Sequence, residues 1–95
     1  MDIEITQKDD GKQGRFVLFE NDVLAGEMTY TWEEKDKMVI RHTEVGDEFQ
    51  GKGYGKKLVM KAVEAARSRH FKIKPYCIYA KAVFDRDAQL ADVKY

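Results

Sequence analysis

The sequence predicts an α/β (more strictly α+β) fold. Four strands form an antiparallel meander, a glycine loop opens a helix, a fifth strand returns parallel to the fourth, and a second helix closes the chain. Three observations carry this. Residues 3–45 alternate apolar and polar with period two between turn clusters. Gln50-Gly51-Lys52-Gly53-Tyr54-Gly55 then sets three glycines in five residues. From Tyr54 to about Arg69, Leu58, Val59, Ala62, Val63 and Ala66 recur at helical spacing.

Element by element, Ile3-Glu4-Ile5-Thr6 reads as the first strand and Asp9–Gly14 as a turn cluster. Arg15–Glu20 is the second strand, and Asn21-Asp22 a tight hairpin turn. Val23–Trp32 is the third, with a bulge at Gly26. Leu24, Met28 and Tyr30 share one face of it if that bulge leaves the register unshifted. Glu33–Lys37 makes a charged turn before Met38–Val45, the fourth strand. Ile73–Tyr79 is the fifth, and a strand–helix–strand crossover lays it parallel to the fourth. Ala80 to about Leu90 has helix potential, and Asp92–Tyr95 is expected to fray.

Composition narrows the class. At 95 residues, 43% hydrophobic and 12% aromatic, the chain is read as one globular domain over residues 1–95, with a small core. No apolar run has the length of a membrane span, so no membrane partner is expected. Met1-Asp2-Ile3-Glu4 lacks the basic and apolar regions of a signal peptide. A single cysteine, Cys77, forms no intrachain disulfide; together these imply a cytoplasmic protein. The formal charge is zero but uneven. Residues 1–50 hold six Lys/Arg against thirteen Asp/Glu, a net −7, whereas residues 51–81 hold nine against Glu64 alone, a net +8. A basic half of this kind suits a polyanionic small molecule. Nucleic acid is the competing partner, but aromatics do not interleave with the Lys/Arg of the helix, and none is expected.

The loop decides between phosphate ligands. Glycines opening a helix let backbone N–H groups converge on one point, with the positive end of the helix dipole behind them. A nucleotide-triphosphate loop needs a glycine five residues before Gly55, where Gln50 stands, and Lys57 takes the place of its Ser/Thr. The dinucleotide pattern fails because Lys56 or Leu58 falls where its last glycine belongs. Q/R-x-x-G-x-G/A is filled, by Gln50, Gly53 and Gly55. This motif, after a strand ending at Val45 and before an apolar-faced helix, resembles the pyrophosphate-binding motif of the GNAT N-acetyltransferase superfamily.

The resemblance implies a minimal GNAT-like core that binds acetyl-CoA or CoA as co-substrate. Val45, Gln50, Gly51, Lys52, Gly53, Tyr54, Gly55 and Lys56 then form the binding segment, with Lys57 a further source of charge. It is similar to very small members of about this length. The helices between the first two strands and the C-terminal strand pair of larger members have no counterpart, so the acceptor is expected to be a protein or peptide surface, or to enter a pocket completed by a second subunit. The same gap leaves a non-catalytic coenzyme-binding module as the alternative to an N-acetyltransferase, and a basic-faced nucleic-acid-binding or interaction domain as the alternative from another class. Oligomeric state is open.

Enzymes of that superfamily take a base from the fourth strand and an acid from a tyrosine on the helix after the fifth. His42 and Glu44 are the candidates for the base, expected on opposite faces so that one enters the cleft. Histidine is the residue type that titrates near neutrality. Ala80–Arg86 holds no tyrosine, and Tyr79, read as a strand residue, is the nearest substitute for the acid. Cys77, read in mid-strand beside the fourth strand, is the candidate nucleophile or alternative acid; a small buried hydrophobe is its other reading. His42, His70 and Cys77 lack the spacing of metal ligands.

Overall fold

Asp10 makes the first turn: its carboxylate accepts the N–H groups of Lys12 and Gln13, both at 2.9 Å, while Gly11 takes φ +89°. So compact a turn lets the flanking strands run longer than the sequence predicts. In the computed structural model, which describes residues 2–95, β1 is Ile3–Asp9 and β2 Gln13–Glu20, with Asp9 paired to Gly14. Met1, part of the N-terminal reading above, lies outside the described residues. Asn21 and Asp22 both adopt positive φ, the backbone that a two-residue hairpin needs, and lead into β3 (Val23–Glu34). β4 is Lys37–Val45.

The sheet order is β1-β2-β3-β4-β5, antiparallel through β4, with β5 (Lys72–Pro75) parallel to it. A bulge shifts the β2–β3 register between the Leu18–Gly26 and Phe19–Leu24 pairs. Its effect is to separate Leu24, 57% exposed, from Met28 and Tyr30, which are buried. A second shift, beside Arg41 on β4, decides which residues of that strand face the helices.

Helix α1 spans Tyr54–Arg69, as its spacing predicts, and buries Leu58, Val59, Ala62, Val63 and Ala66. It ends where His70 turns left-handed and returns its N–H to Ala66 O. With α2 (Ile78–Arg86) it meets Phe16, Leu18, Met28, Tyr30, Met38 and Ile40 of the sheet in one hydrophobic cluster. Leu58 lies wholly inside, so truncation to Ala costs about 2–5 kcal/mol. Among the described residues, no helix covers the other face of the sheet.

The C-terminal third departs from expectation in three ways. β5 stops at Pro75 rather than Tyr79: Pro75 has no N–H to continue the ladder, and Tyr76 and Cys77 both donate to Ile40 O at 3.1 Å as the chain turns away. The helix therefore starts at Ile78, two residues early, and breaks at Asp87, whose carboxylate accepts Gln89 N–H and starts a 3₁₀ segment, Ala88–Val93. Residues 92–95 are held rather than frayed. Val93 is buried, Lys94 bridges to Ile73, and Tyr95 donates its N–H to Ile73 O and its hydroxyl to Glu33.

Candidate functional site

The loop after β4 is built largely by main chain. Gly46 N–H donates to Ala25 O, a 3₁₀ turn runs over Asp47–Phe49, and the Gln50 side-chain amide reaches back 2.8 Å to Val45 O. Gln50 thus ties the loop to the end of β4. Gly51 and Gly53 take φ +82° and +77°, the left-handed region in which a side chain is strained. A Cβ at either would meet nothing within 4 Å, so the loop opens onto free space. Gly53 is also the N-cap of α1, where it supplies no side-chain oxygen. The first N–H groups of a helix lack intrahelical acceptors, and those of Gly55 and Lys56 sit there. No acidic residue stands in this first turn, whereas Lys56 and Lys57 do, both exposed. Cations at the positive end of a helix oppose its dipole, an arrangement that an external anion reverses.

Glu20, at the end of β2, anchors the loop from below. It accepts from Lys52 Nζ at 2.8 Å and from the Tyr54 hydroxyl. The Lys52 ammonium also lies over the rings of Phe49 and Tyr54. These two donors hold the Glu20 carboxyl below its usual range, and the hydrogen bond to Glu20 pushes the Tyr54 phenol up to about 12. Glu20 was invisible to motif reading, because its partners lie more than thirty positions away in sequence.

Where β4 and β5 part, Cys77 is half-buried and caps α2 rather than standing in mid-strand: its Sγ accepts the Ala80 N–H at 3.3 Å. Thr43 Oγ1 lies 3.4 Å from the same sulfur. Alternation was the signal that could have found Thr43, since it pairs with buried Met28 and so faces the helices. The expectation for His42 and Glu44 is corrected by the same alternation. Two residues apart, they share a face, pair with Thr29 and Glu27, and are exposed on the side away from Cys77. Tyr79 is likewise a helix residue, on α2, not a strand aromatic. Its ring lies against Gly55 at the start of α1. The structure therefore gathers the loop, Thr43, Cys77 and Tyr79 on the helix side of the sheet, and leaves His42 and Glu44 outside. A concavity of about 660 Å³ on the opposite face, lined by Arg15, Thr29, Thr31 and Arg41 among others, includes no residue of the loop or of α2.

The cations of the basic half are partly matched: Arg67 to Asp92, Lys81 to Asp85 and Lys52 to Glu20 outside it, and Lys61 to Glu64 within it. Among the described residues no helix is long and apolar enough to cross a membrane.

The family model described as GCN5-related N-acetyl-transferase matches residues 15–93. No curated protein matches the chain. Among solved structures, a GCN5-like protein from Staphylococcus aureus is 31% identical, with a TM-score of 0.74, over 97% of this chain and 87% of that one. A ribosomal-protein-alanine N-acetyltransferase from Brucella melitensis shares the fold at 12% identity and a TM-score of 0.69, over 90% of each chain. A GNAT family acetyltransferase from Elizabethkingia anophelis, solved with acetyl-CoA bound, shares it at 15% identity and a TM-score of 0.64, over 75% of this chain and 62% of that one.

Proposed function

Because the chain belongs to the GCN5-related N-acetyltransferase family, we propose that it binds acetyl-CoA on residues 50–56 and transfers the acetyl group to a protein or peptide acceptor. The observation that carries this is the start of α1: a left-handed glycine cap, open space before the loop, and Lys56 and Lys57 where a free helix would favour acids. The residues present fit a pyrophosphate. Backbone N–H groups of the loop bind it, and Lys56 and Lys57 supply compensating charge.

Cys77 is the residue assigned to the chemistry. Its sulfur lies on the helix side of β4, with the Ala80 N–H and the Thr43 hydroxyl as partners. When acetyl-CoA is bound, it supplies an activated acetyl group as a thioester. The Cys77 sulfur, once deprotonated, attacks the carbonyl carbon; a carbon–sulfur bond to Cys77 forms, that to the coenzyme breaks, and the departing thiolate takes up a proton. The acceptor nitrogen then attacks the acetyl carbon on Cys77; the new carbon–nitrogen bond forms, the carbon–sulfur bond to Cys77 breaks, and the proton released by the nitrogen returns to the Cys77 sulfur. His42 and Glu44 are not assigned a step, because both face away from this sulfur.

That same absence of an assigned carboxylate or imidazole favours a second reading, a coenzyme-binding module without transfer. Calorimetric titration with acetyl-CoA, CoA and ATP in parallel tests binding, with acetyl-CoA and CoA expected to bind and ATP not. Mass spectrometry after incubation with acetyl-CoA tests the chemistry. One hydroxylamine-labile acetyl group on Cys77 supports transfer; binding without an adduct leaves the module. Should the basic half serve nucleic acid instead, binding to it falls steeply with salt.

A further inference from the structure

The two glycines that flank Tyr54 are required for different reasons. Gly53 is required by its backbone angle. Gly55 lies inside α1, where the backbone suits any residue, and what excludes a side chain there is Tyr79. A Cβ on Gly55 would come within 2.7 Å of Tyr79 Cζ, 2.8 Å of Cε2 and 2.9 Å of the phenol oxygen. The ring thus rests on the first turn of α1, while its own backbone belongs to the first turn of α2, two residues beyond Cys77. One side chain connects the thiol end of the site to the phosphate end. At 42% exposure it forms a wall rather than core.

We infer that Tyr79 is a coenzyme-positioning residue, whose ring forms the wall between the loop and Cys77, and not the proton donor that its position on α2 would suggest. The inference rests on the coenzyme reading above. A proton donor must come within hydrogen-bond reach of the leaving sulfur, which departs beside Cys77. The Tyr79 hydroxyl lies 2.9 Å from where a Gly55 Cβ would stand, at the first turn of α1. A rigid ring with an apolar face and a polar tip suits a ligand that is apolar along its chain and anionic at one end.

Dissociation constants for CoA and acetyl-CoA, measured by calorimetry on variants of the whole chain, test this. Tyr79→Ala is expected to weaken both ligands equally, by about tenfold, whereas Tyr79→Phe stays within about twofold and acetylates Cys77 at the normal rate. Gly55→Ala displaces the ring and is expected to match Tyr79→Ala, with no further loss in the double variant. Melting temperature reads the contact without ligand. Ala for Gly ordinarily stabilises a helix, yet Gly55→Ala should lower Tm, and adding Tyr79→Ala should restore it. Unchanged affinity in Tyr79→Ala overturns the inference, as does a Tyr79→Phe protein that binds normally but acetylates slowly. A wild-type protein that binds neither ligand overturns the coenzyme reading itself; the Tm pair would still report the ring contact, so the two failures are distinguishable.

Discussion

The two helices of this protein begin in opposite ways. α2 is capped by its own sequence: Cys77 supplies a sulfur acceptor to Ala80 N–H. α1 begins with a glycine that has no side chain to offer, followed by two lysines that its dipole disfavours. A helix start finished by its own sequence needs only to fold. One left unfinished, and with the wrong sign of charge, is shaped by what it will meet. The pair are joined by the Tyr79 ring, which rests against Gly55, so that the loop proposed to hold the coenzyme and the Cys77 thiol flank one side chain.

The contrast is broken most severely at Gly53. Valine there must adopt φ near +77°, at a cost of about 1–2 kcal/mol or more for a β-branched residue, and it fills the open space before the loop. Acetyl-CoA binding should vanish in calorimetry while circular dichroism still shows a folded protein. Normal binding by Gly53→Val would contradict the loop assignment.

Cys77 tests the other helix. Serine keeps a cap acceptor, so Cys77→Ser should hold stability within about 1 kcal/mol of wild type while losing the thioester adduct. Cys77→Ala should lose both the adduct and about 0.5 kcal/mol of cap. Denaturant titration beside mass spectrometry separates the two roles, and a persistent adduct in either variant would remove Cys77 from the chemistry.

A subtler probe reverses the sign at α1. Lys56→Glu should stabilise the ligand-free protein, by about 0.3–1 kcal/mol, because it agrees with the dipole, and should weaken coenzyme binding at the same time. Loss of both stability and affinity would mean that Lys56 serves the fold. The smallest effect concerns the anchor beneath the loop. The folded pKa of Tyr54, about 12, lies above its ordinary 10.0, so its contribution is whole below pH 10 and is lost as pH rises through 12. Glu20 is shifted the other way, so its contribution is present above its ordinary 4.5 and is lost as pH falls through its lower folded value. Tyr54→Phe should shrink, without abolishing, the alkaline limb in a plot of urea midpoint against pH, because the phenols of Tyr95, pushed up to about 12, and Tyr30 are raised as well. An unchanged limb would assign it to another tyrosine.

Much of this was legible in the sequence because local rules and the fold agreed. The residues between Leu58 and Ala66 keep helical period, Gly53 marks the cap, and the meander follows from turns whose chemistry is explicit at Asp10-Gly11 and Asn21-Asp22. Errors gathered where apolar residues continued past a boundary. Tyr76, Ile78 and Tyr79 read as strand, and a cysteine is not a recognised cap, so Pro75, which ends the ladder, was the one signal of the turn into α2. Ile78, 89% exposed, belongs to no core at all. The partners Glu20 and Thr43 were hidden for another reason: each is ordinary in its own strand and acquires meaning only across the sheet. Face assignment on β4 needed only alternation, and there the reading of His42 and Glu44 was mistaken.

The order of the sheet decides how the proposed site is assembled. Each of the first four strands pairs with its neighbour in sequence, so the meander closes through short loops at small entropic cost. The β4–β5 pairing must instead join Lys37 to Lys72 across the whole of α1. Long-range closures of this kind are the slow ones to form. Cys77 and Tyr79 follow β5 directly and depend on that closure, whereas the loop is already tied to the meander through Ala25 and Val45. The meander is therefore the scaffold onto which α2 closes, and a ligand bridging α1 and α2 would act as a clasp. In hydrogen exchange, coenzyme should slow amides of β5 and α2 far more than those of β2 and β3.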